Sequence, residues 1–411
     1  MLSQKVIKIN PPFSKSGGQK TYVVTGGTGF LGSRLSVDLL SEGNKVIFLT
    51  RAKNEHRAYD RVFSILKQIE PTIDKNLIQV IEVDLNMKNL LLHPEITKLK
   101  EIDAVWHLSA NLSFKEEKRK EIFNDNIVVL ENILSFVTFL KCPIYYTSTA
   151  YIHGRINKNL IQENVLVKPV IFNNPYEESK YEAERIIFEW GKENKNSFII
   201  FRPSILVEYR RHTLSFFGYY SVIAGLENLK QKMTKFYKKH PNLSKFFGLN
   251  FKNNILHAFI PFPYIKNVFL NLMPVNVAIE WMIVVAKNKK SLGNIFHITN
   301  PNPFSMEEVT KQTLSGLNLQ LLTFKAPEII IASYFSFIGF LGIFNKDLKS
   351  FARILKFYKF YMLHSNHYVV ENTRLIVGKE RFDKEFKFEE HFLENLTRNF
   401  IAKLKERQKL S

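Results

Sequence analysis

The segment KTYVVTGGTGFLG, residues 20–32, constrains the fold more than any other part of the chain. A short apolar run ends in a glycine-rich turn, and Leu31, Leu35 and Leu39 then recur at helical spacing up to Gly43. Gly26, Gly29 and Gly32 stand at the spacing G-x-x-G-x-x-G. Between a strand and a helix, the first glycine permits a tight turn and the second lets the backbone approach a pyrophosphate. The third lets the helix pack close to the strand, and the helix N-terminus faces the anion. Such a turn carries weight only when a regular alternation of elements follows it.

That alternation follows. KVIFLT is the next β-rich run, and Ala58, Val62 and Leu66 trace a helical pattern behind it. IQVIEV and DAVWHL are further strands, IVVLENILSFVTFL a buried helix, PIYYTS a strand, YEAERIIFEW a helix and SFIIF a strand. Strands alternating with helices predict a parallel sheet covered on both faces. The expected class is α/β: a Rossmann-type doubly wound parallel sheet with a smaller, mostly helical C-terminal substrate-binding region. The expected division is a basic leader over 1–19, a dinucleotide-binding domain over 20–208, and a substrate-binding cap over 209–411, with 294–299 returning to the sheet.

Two further features bear on chemistry. An NAD site usually carries an acid at the end of the second strand to hold the ribose 2′-hydroxyl. Here KVIFL runs into Thr50 and Arg51, with Lys53 close behind. A guanidinium there suits a 2′-phosphate, so NADP is expected rather than NAD. In NPYEESKYEAE, Tyr176 and Lys180 lie one helical turn apart on one face. A free phenol has a pKa near about 10, and a fixed positive charge beside it would lower that value.

These residues together resemble the extended short-chain dehydrogenase/reductase superfamily. Within it they resemble the fatty acyl-CoA reductase and thioester reductase branch, the male sterility type of NAD(P)-binding domain. The resemblance begins at about Lys20, is densest before Phe201 and continues into the C-terminal region. It implies that Gly26, Thr28, Gly29, Phe30, Leu31 and Gly32 of TGGTGFLG bind the cofactor, with Arg51 of LTRAKNEHRAYDRV. VDL would set Asp84 and Leu85 by the adenine, although Val83 stands where glycine is usual. VWHLSANLSF would set Ser109, Ala110 and Asn111 beside the cofactor, and NDNIVVLENIL supplies Asn126. FRPSI would bring Pro203 and Ile205 to the nicotinamide. YTSTAYIHG is similar to the acyl-CoA reductase form, and counting back from Gly154 implies Thr149 as the catalytic hydroxyl, with Ser148 the alternative. Tyr176 and Lys180 match Y-x-x-x-K and are implied both for catalysis and for cofactor binding. NLMPVNVAIEWMI, NIFHITNPNPFSMEEV and ENTRLIVG are similar to landmarks on the branch's substrate side. Glu208, where glycine is frequent, and Asn276, where Asp is common, depart from the pattern there.

The implied activity is NADPH-dependent reduction of an acyl thioester, on CoA or on a carrier, to aldehyde or alcohol. Thr149 and Tyr176 would serve the carbonyl oxygen, and Lys180 would keep the phenol acidic and hold the nicotinamide ribose. One alternative is a sugar-nucleotide epimerase or dehydratase, or a hydroxysteroid-type dehydrogenase. These commonly carry an acid after the second strand. A second alternative is a non-catalytic NADP-binding scaffold, which would need the glycine turn but not Thr149, Tyr176 and Lys180.

Lys and Arg number 58 against 38 Asp and Glu, for a net charge of +20. That excess favours anionic partners. It is dense over residues 209–266, where aromatic residues interleave with ten Lys and Arg and a single acid, Glu227. The apolar run IIIASYFSFIGFLGIF, residues 329–344, followed by FARILKFYKFYML, extends the same character. The run is shorter than the about 20 residues of a spanning helix. Basic–aromatic helices of this kind fit a peripheral membrane surface, a positive collar for CoA or phosphopantetheine phosphates, or a cap with a solvated basic face. A nucleic-acid groove is not expected, and the oligomeric state is left open. The lone Cys142 rules out an intramolecular disulfide and fits a reducing compartment, cytoplasmic or at the inner face of a membrane. No signal peptide is expected at the N-terminus. His153, His257 and His297 share no ligand spacing, so no metal is expected.

Overall fold

The computed structural model describes residues 18–53, 57–155, 160–165, 171–194, 197–208, 217–246, 248–344, 346–385 and 388–410. Most of the expected basic leader, and residues 209–216 and 247 of the basic–aromatic segment, lie outside these. Seven strands form one parallel sheet: β1 (Thr21–Thr25), β2 (Lys45–Thr50), β3 (Ile78–Glu82), β4 (Ala104–His107), β5 (Ile144–Thr147), β6 (Phe198–Pro203) and β7 (Asn294–Ile298). Their order is β3-β2-β1-β4-β5-β6-β7, and it reverses direction at β1, which pairs with both β2 and β4. Such a reversal opens the crevice in which doubly wound folds bind ligands.

The burial of each strand follows its place in the sheet. β4, β5 and β6 are buried along their whole length, as their continuous apolar runs require when both faces are covered. β3, at the edge, buries only Ile81 and leaves its remaining residues partly or fully exposed. β7 pairs with β6 from Asn294↔Ile199 to Ile298↔Pro203, so the chain after residue 293 runs in the sheet.

The chain divides into two compact units. One runs up to Ser109 and includes Glu131–Ile144; the other holds Ala110–Leu130 and the chain from Tyr145 onward. The first contains β1–β4 with helices α1 (Phe30–Ser41), α2 (Ala58–Ile69) and most of α3 (Val129–Leu140). Leu35 and Leu39 of α1 and Val62 and Leu66 of α2 are buried at the helical spacing read from the sequence.

The second unit contains β6, β7 and α4 (Pro175–Asn194), together with α5 (Tyr219–Lys239) and the later helices. A second core forms here around Ile223, Leu226, Leu256, Leu272, Leu319 and Leu396. Three strands, Leu319–Lys325, Ile255–Tyr264 and Asn250–Lys252, make a small sheet beside it. A buried ion pair ties α4 to β6. Arg202 Nε and Nη2 donate to Glu184 at 3.0 and 2.6 Å, and Nη2 and Nη1 also donate to Asn164 O at 3.0 Å and Gln162 O at 3.3 Å. Both side chains are buried. Removing one partner leaves the other charge buried and unpaired, which costs about 3–5 kcal/mol. Arg202→Met is therefore expected to lose that amount in denaturant unfolding, and a loss under about 1 kcal/mol would show that the pair is dispensable.

Candidate active site

In the first unit the glycine turn is held by backbone contact. Gly26 has φ +71°, and a Cβ there would lie 2.6 Å from Ser109 N. A Cβ on Gly32 would lie 2.3 Å from Gly26 O, so α1 starts directly against the turn only because residue 32 has no side chain. Gly29 N donates to Gly26 O at 2.9 Å, which closes the turn. Among the described residues no side chain caps the N-terminus of α1. Its first N–H groups therefore point outward from a solvent-accessible turn of Thr28, Gly29, Phe30 and Leu31. A cradle that side chains would fill, beneath uncapped N–H groups, fits a dinucleotide pyrophosphate.

The remaining first-unit positions are placed as follows. Thr25 Oγ1 and His107 Nδ1, at the ends of β1 and β4, hydrogen-bond at 2.7 Å, and Ser109 N donates to Thr25 Oγ1 at 3.4 Å. Asp84 and Leu85 lie in the turn after β3, where Asn132 of α3 donates to Leu85 O at 2.9 Å and Met87 O at 2.8 Å. Arg51 is exposed just after β2. Arg61 of α2 donates to Arg51 O at 2.6 Å and reaches Thr28 Oγ1 at 3.4 Å. Arg61 was not among the expected site residues. It falls inside the LTRAKNEHRAYDRV segment, but only the turn of α2 brings it back to the glycine loop.

In the second unit, Tyr176 is set by the start of α4. Asn174 Oδ1 accepts from Glu177 N at 3.0 Å, and the Glu177 carboxylate accepts from Asn173 N at 3.0 Å. Pro175 fills the first helical position, where no N–H is needed. The sequence NNPYE thus fixes where the helix begins and where Tyr176 sits. The Tyr176 phenol shares a hydrogen bond with Thr149. Thr149 lies just past β5, and Ser148 N and Ala150 N donate to Phe201 O (2.7 Å) and Pro203 O (2.9 Å), which sets it beside the end of β6. Ser148 Oγ is buried with no hydrogen-bond partner among the described residues, so Thr149 rather than Ser148 meets the phenol.

Asn126 sits in a single π-helical turn, Asn124–Val128, and joins two segments. Its Oδ1 accepts from Asn111 N at 2.7 Å, and its Nδ2 donates to Ser179 Oγ at 2.8 Å. Ser179 Oγ in turn donates to Tyr176 O at 2.8 Å. Asn111, Asn126, Tyr176, Lys180, Thr149 and Pro203 therefore belong to one hydrogen-bonded region of this unit, and Ala110 precedes Asn111 in the chain. Ile205 follows Pro203, its N–H donating to Asn271 O at 3.3 Å, while the Glu208 backbone is held by the Tyr220 phenol.

Lys180 corrects one expectation. Its ammonium donates to Tyr146 Oη at 3.0 Å and Thr147 O at 2.8 Å, not to Tyr176. Burial pushes its pKa down to about 7, against the charge of Glu184, which favours the cation. Burial, then the nearby Glu177 charge, push the Tyr176 phenol well above its ordinary value, and only the Thr149 bond opposes them. Desolvation thus outweighs any help from the lysine, because the ammonium is turned toward β5. Buried His153 and His297 are held neutral, pushed down to about 4 and about 3 by burial. Their Nδ1 atoms bond Ala150 O at 3.0 Å and Val369 O at 2.6 Å.

The same unit contains an apolar cavity, partly open to solvent, lined by Ile205, Leu226, Phe262, Leu314, Tyr358 and Tyr361 among others. Tyr219 Oη and Thr313 Oγ1, two of its few polar atoms, bond each other at 2.5 Å. Phe114 links this wall to the phenol. Its ring centroid lies 5.8 Å from that of Tyr176, and 6.0 and 6.1 Å from those of Tyr358 and Tyr361.

The buried lysine makes stability depend on pH. Its folded pKa is depressed to about 7, so between pH 7 and about 10.4 the unfolded chain holds a proton that the native state does not. The cost is full below pH 7 and fades as pH rises. Lys180→Met is expected to raise Tm most below pH 7, with the gain shrinking toward pH 10. A pH-independent difference between the two proteins would contradict a desolvated lysine.

Comparison with known proteins places this geometry. A family described as "Male sterility protein", an NAD-binding family, matches residues 24–278. A UDP-glucose 4-epimerase of Mycoplasma genitalium is 26% identical over 192 residues, 45% of this chain and 52% of that protein. The chain spans about half the length of the curated relatives it matches. Among solved structures, the terminal R domain from the myxalamid PKS-NRPS biosynthetic pathway aligns with a TM-score of 0.71 at 18% identity, over 96% of this chain and 92% of that one. A thiolation-reductase di-domain from an archaeal non-ribosomal peptide synthetase aligns with a TM-score of 0.65 at 16% identity, over 96% and 77%. The matched residues run from the glycine turn through β6 and into the helix Val275–Lys287. The chain belongs to the male sterility family of NAD(P)-binding domains, within the extended short-chain dehydrogenase/reductase superfamily.

Proposed function

We propose that this NAD(P)-dependent enzyme is an NADPH-dependent reductase of acyl thioesters with an apolar chain. The observation that carries the reading is the apolar cavity, whose wall residues Tyr358 and Tyr361 touch Phe114, the ring that packs on Tyr176. A site for a nucleotide sugar needs polar groups aimed at hydroxyls, because unpaired polar groups of a buried ligand are costly. This cavity is walled by Ile205, Val222, Leu226 and Leu314, and its Tyr219 and Thr313 hydroxyls are already paired. The fold shared with a thiolation-reductase di-domain is consistent with the reading. The likeness to UDP-glucose 4-epimerase favours the second reading, an epimerase, which would consume no NADPH overall.

The residues present suit the chemistry. Bound NADPH would supply the hydride. Thr149 and Tyr176 would hydrogen-bond the thioester carbonyl oxygen, and Tyr176 would give up its proton as negative charge develops there. Its raised pKa keeps the phenol protonated and able to donate until that moment. Addition of hydride and proton gives a hemithioacetal, whose C–S bond then breaks to leave aldehyde and thiol. Asn126 and Ser179 would hold the start of α4 in register with Asn111. Buried Lys180 would fix the end of β5 through Thr147 O.

Oxidation of NADPH against acyl-CoAs of graded length, with product analysis, tests the reading. Turnover is expected to rise with chain length, and Tyr176→Phe is expected to lose on the order of 10²–10⁴-fold in kcat while still binding NADPH. Epimerisation of a nucleotide sugar without net NADPH loss would replace this reading with the second.

The cofactor choice rests on Arg51, which follows β2 with no acid at its end, and on Arg61, which donates to Arg51 O and reaches Thr28 Oγ1. A hydrogen bond to a charged group contributes about 1.5–3 kcal/mol. The double variant Arg51→Ala/Arg61→Ala is expected to lose about tenfold or more of NADPH affinity with little change for NADH. Equal wild-type affinities for the two would discard the assignment.

A further inference from the structure

Two consecutive helices of the second unit, α6 (Glu328–Phe344) and α7 (Lys346–Leu363), pack against each other. His364, just past α7, lies 3.8 Å from Glu328 at the start of α6, and Ile331 and Leu363 share a small buried cluster. The pair is therefore antiparallel. On α6, Ile331 and Ile338 are buried and Tyr334 and Phe335 pack inward, a stripe at i, i+3, i+4 and i+7. The opposite side also exposes large apolar side chains, Ile329 at 75%, Phe337 at 55% and Phe340 at 56%, with the exposed Ser333 and Ser336 among them. A helix that is apolar on both faces has a second apolar environment to meet.

The outward face of α7 differs in kind. Lys349, Arg353 and Lys356 are exposed at i, i+4 and i+7, while Leu355, Tyr358 and Met362 face inward. Ile338 and Leu355 join the same core, so each helix turns one face to that core and leaves the face opposite exposed. Residues 328–363 carry five Lys and Arg against two acids. Lys235, Lys238 and Lys239, exposed at the end of α5, add charge on a helix that packs on α7.

We propose that the outer side of the α6–α7 pair docks on an anionic lipid bilayer, with Ile329, Phe337 and Phe340 in the acyl boundary and Lys349, Arg353 and Lys356 among the head groups. A bilayer offers both the apolar medium and the negative charge that this side lacks. A second copy meeting the same face would set cation against cation. An acidic soluble protein would answer the charge but leave the isoleucine and phenylalanine stripe in water. The inner face of α7 lines the cavity through Tyr358, Tyr361 and Met362. The pair thus faces the bilayer on one side and the acyl-chain space on the other. That second link rests on the reductase reading; the docking does not.

The test is sedimentation of the full chain with vesicles of phosphatidylcholine alone and of phosphatidylcholine with phosphatidylglycerol. Binding is expected to the anionic vesicles, weakening as salt rises, with some attachment left at high salt from the apolar stripe. Lys349→Glu/Arg353→Glu/Lys356→Glu should lower the affinity at least about tenfold, and Phe337→Ser/Phe340→Ser should remove the salt-resistant part. Both variants should keep wild-type NADPH binding and reduction of a short, water-soluble acyl-CoA. No binding to anionic vesicles at low salt, binding unchanged in both variants, or self-association that the Phe337→Ser/Phe340→Ser variant abolishes would each overturn the proposal. Vesicle binding without thioester reduction would instead discard only the reductase reading, and the converse only the docking surface.

Discussion

Gly32 lies so close to the carbonyl of Gly26 that a single added carbon would stand 2.3 Å from its oxygen. The helix α1 can start against the end of β1 only while that contact stands. Its consequence is electrostatic. The first N–H groups of α1 lie at a turn of partly exposed residues with no side chain among the described residues to cap them, so the positive end of the helix faces outward and suits an anion. A side chain at either position would both push the helix away and shield those donors. Packing and binding are here one requirement.

In the second unit the corresponding constraint is charge in a dry place. Helix α4 carries Glu177, Lys180 and Glu184 inward, all buried. Each has a separate solution. Glu184 is paired with Arg202, Glu177 is bonded by Tyr361 and Asn173 with its pKa pushed up to about 7, and Lys180 is lowered to about 7 with bonds to Tyr146 and Thr147. Such groups survive burial only by pairing, by hydrogen bonding or by giving up charge. The result is a rigid setting for Tyr176, whose helix start is fixed by Asn174 and Pro175 and whose phenol meets Thr149.

The apolar cavity gives that setting a direction. Chains of the same superfamily act on polar nucleotide sugars, as the names of the relatives show. What separates the possibilities is the wall built of Ile205, Leu226, Phe262 and Leu314, rather than Thr149, Tyr176 and Lys180. Helix α7 belongs to that wall on one face and to the basic exterior on the other, so its sequence answers to two environments at once.

The sequence by itself determined the elements and the fold class. Continuous apolar runs gave β4, β5 and β6, leucine spacing gave α1, and the glycine turn gave the entry to the alternation, because these depend on neighbours within a few residues. It also set Tyr176 and Lys180 one helical turn apart on α4. Three things waited on the tertiary structure. Arg61 became a neighbour of Thr28 only when α2 folded back on the turn. Lys180 turned its charge to Tyr146 and lost much of it, since desolvation depends on everything packed around a group and not on the residue four places away. The apolar cavity is lined from Ile205 to Met362 by segments distant in the chain, and no local pattern encodes the space left between them.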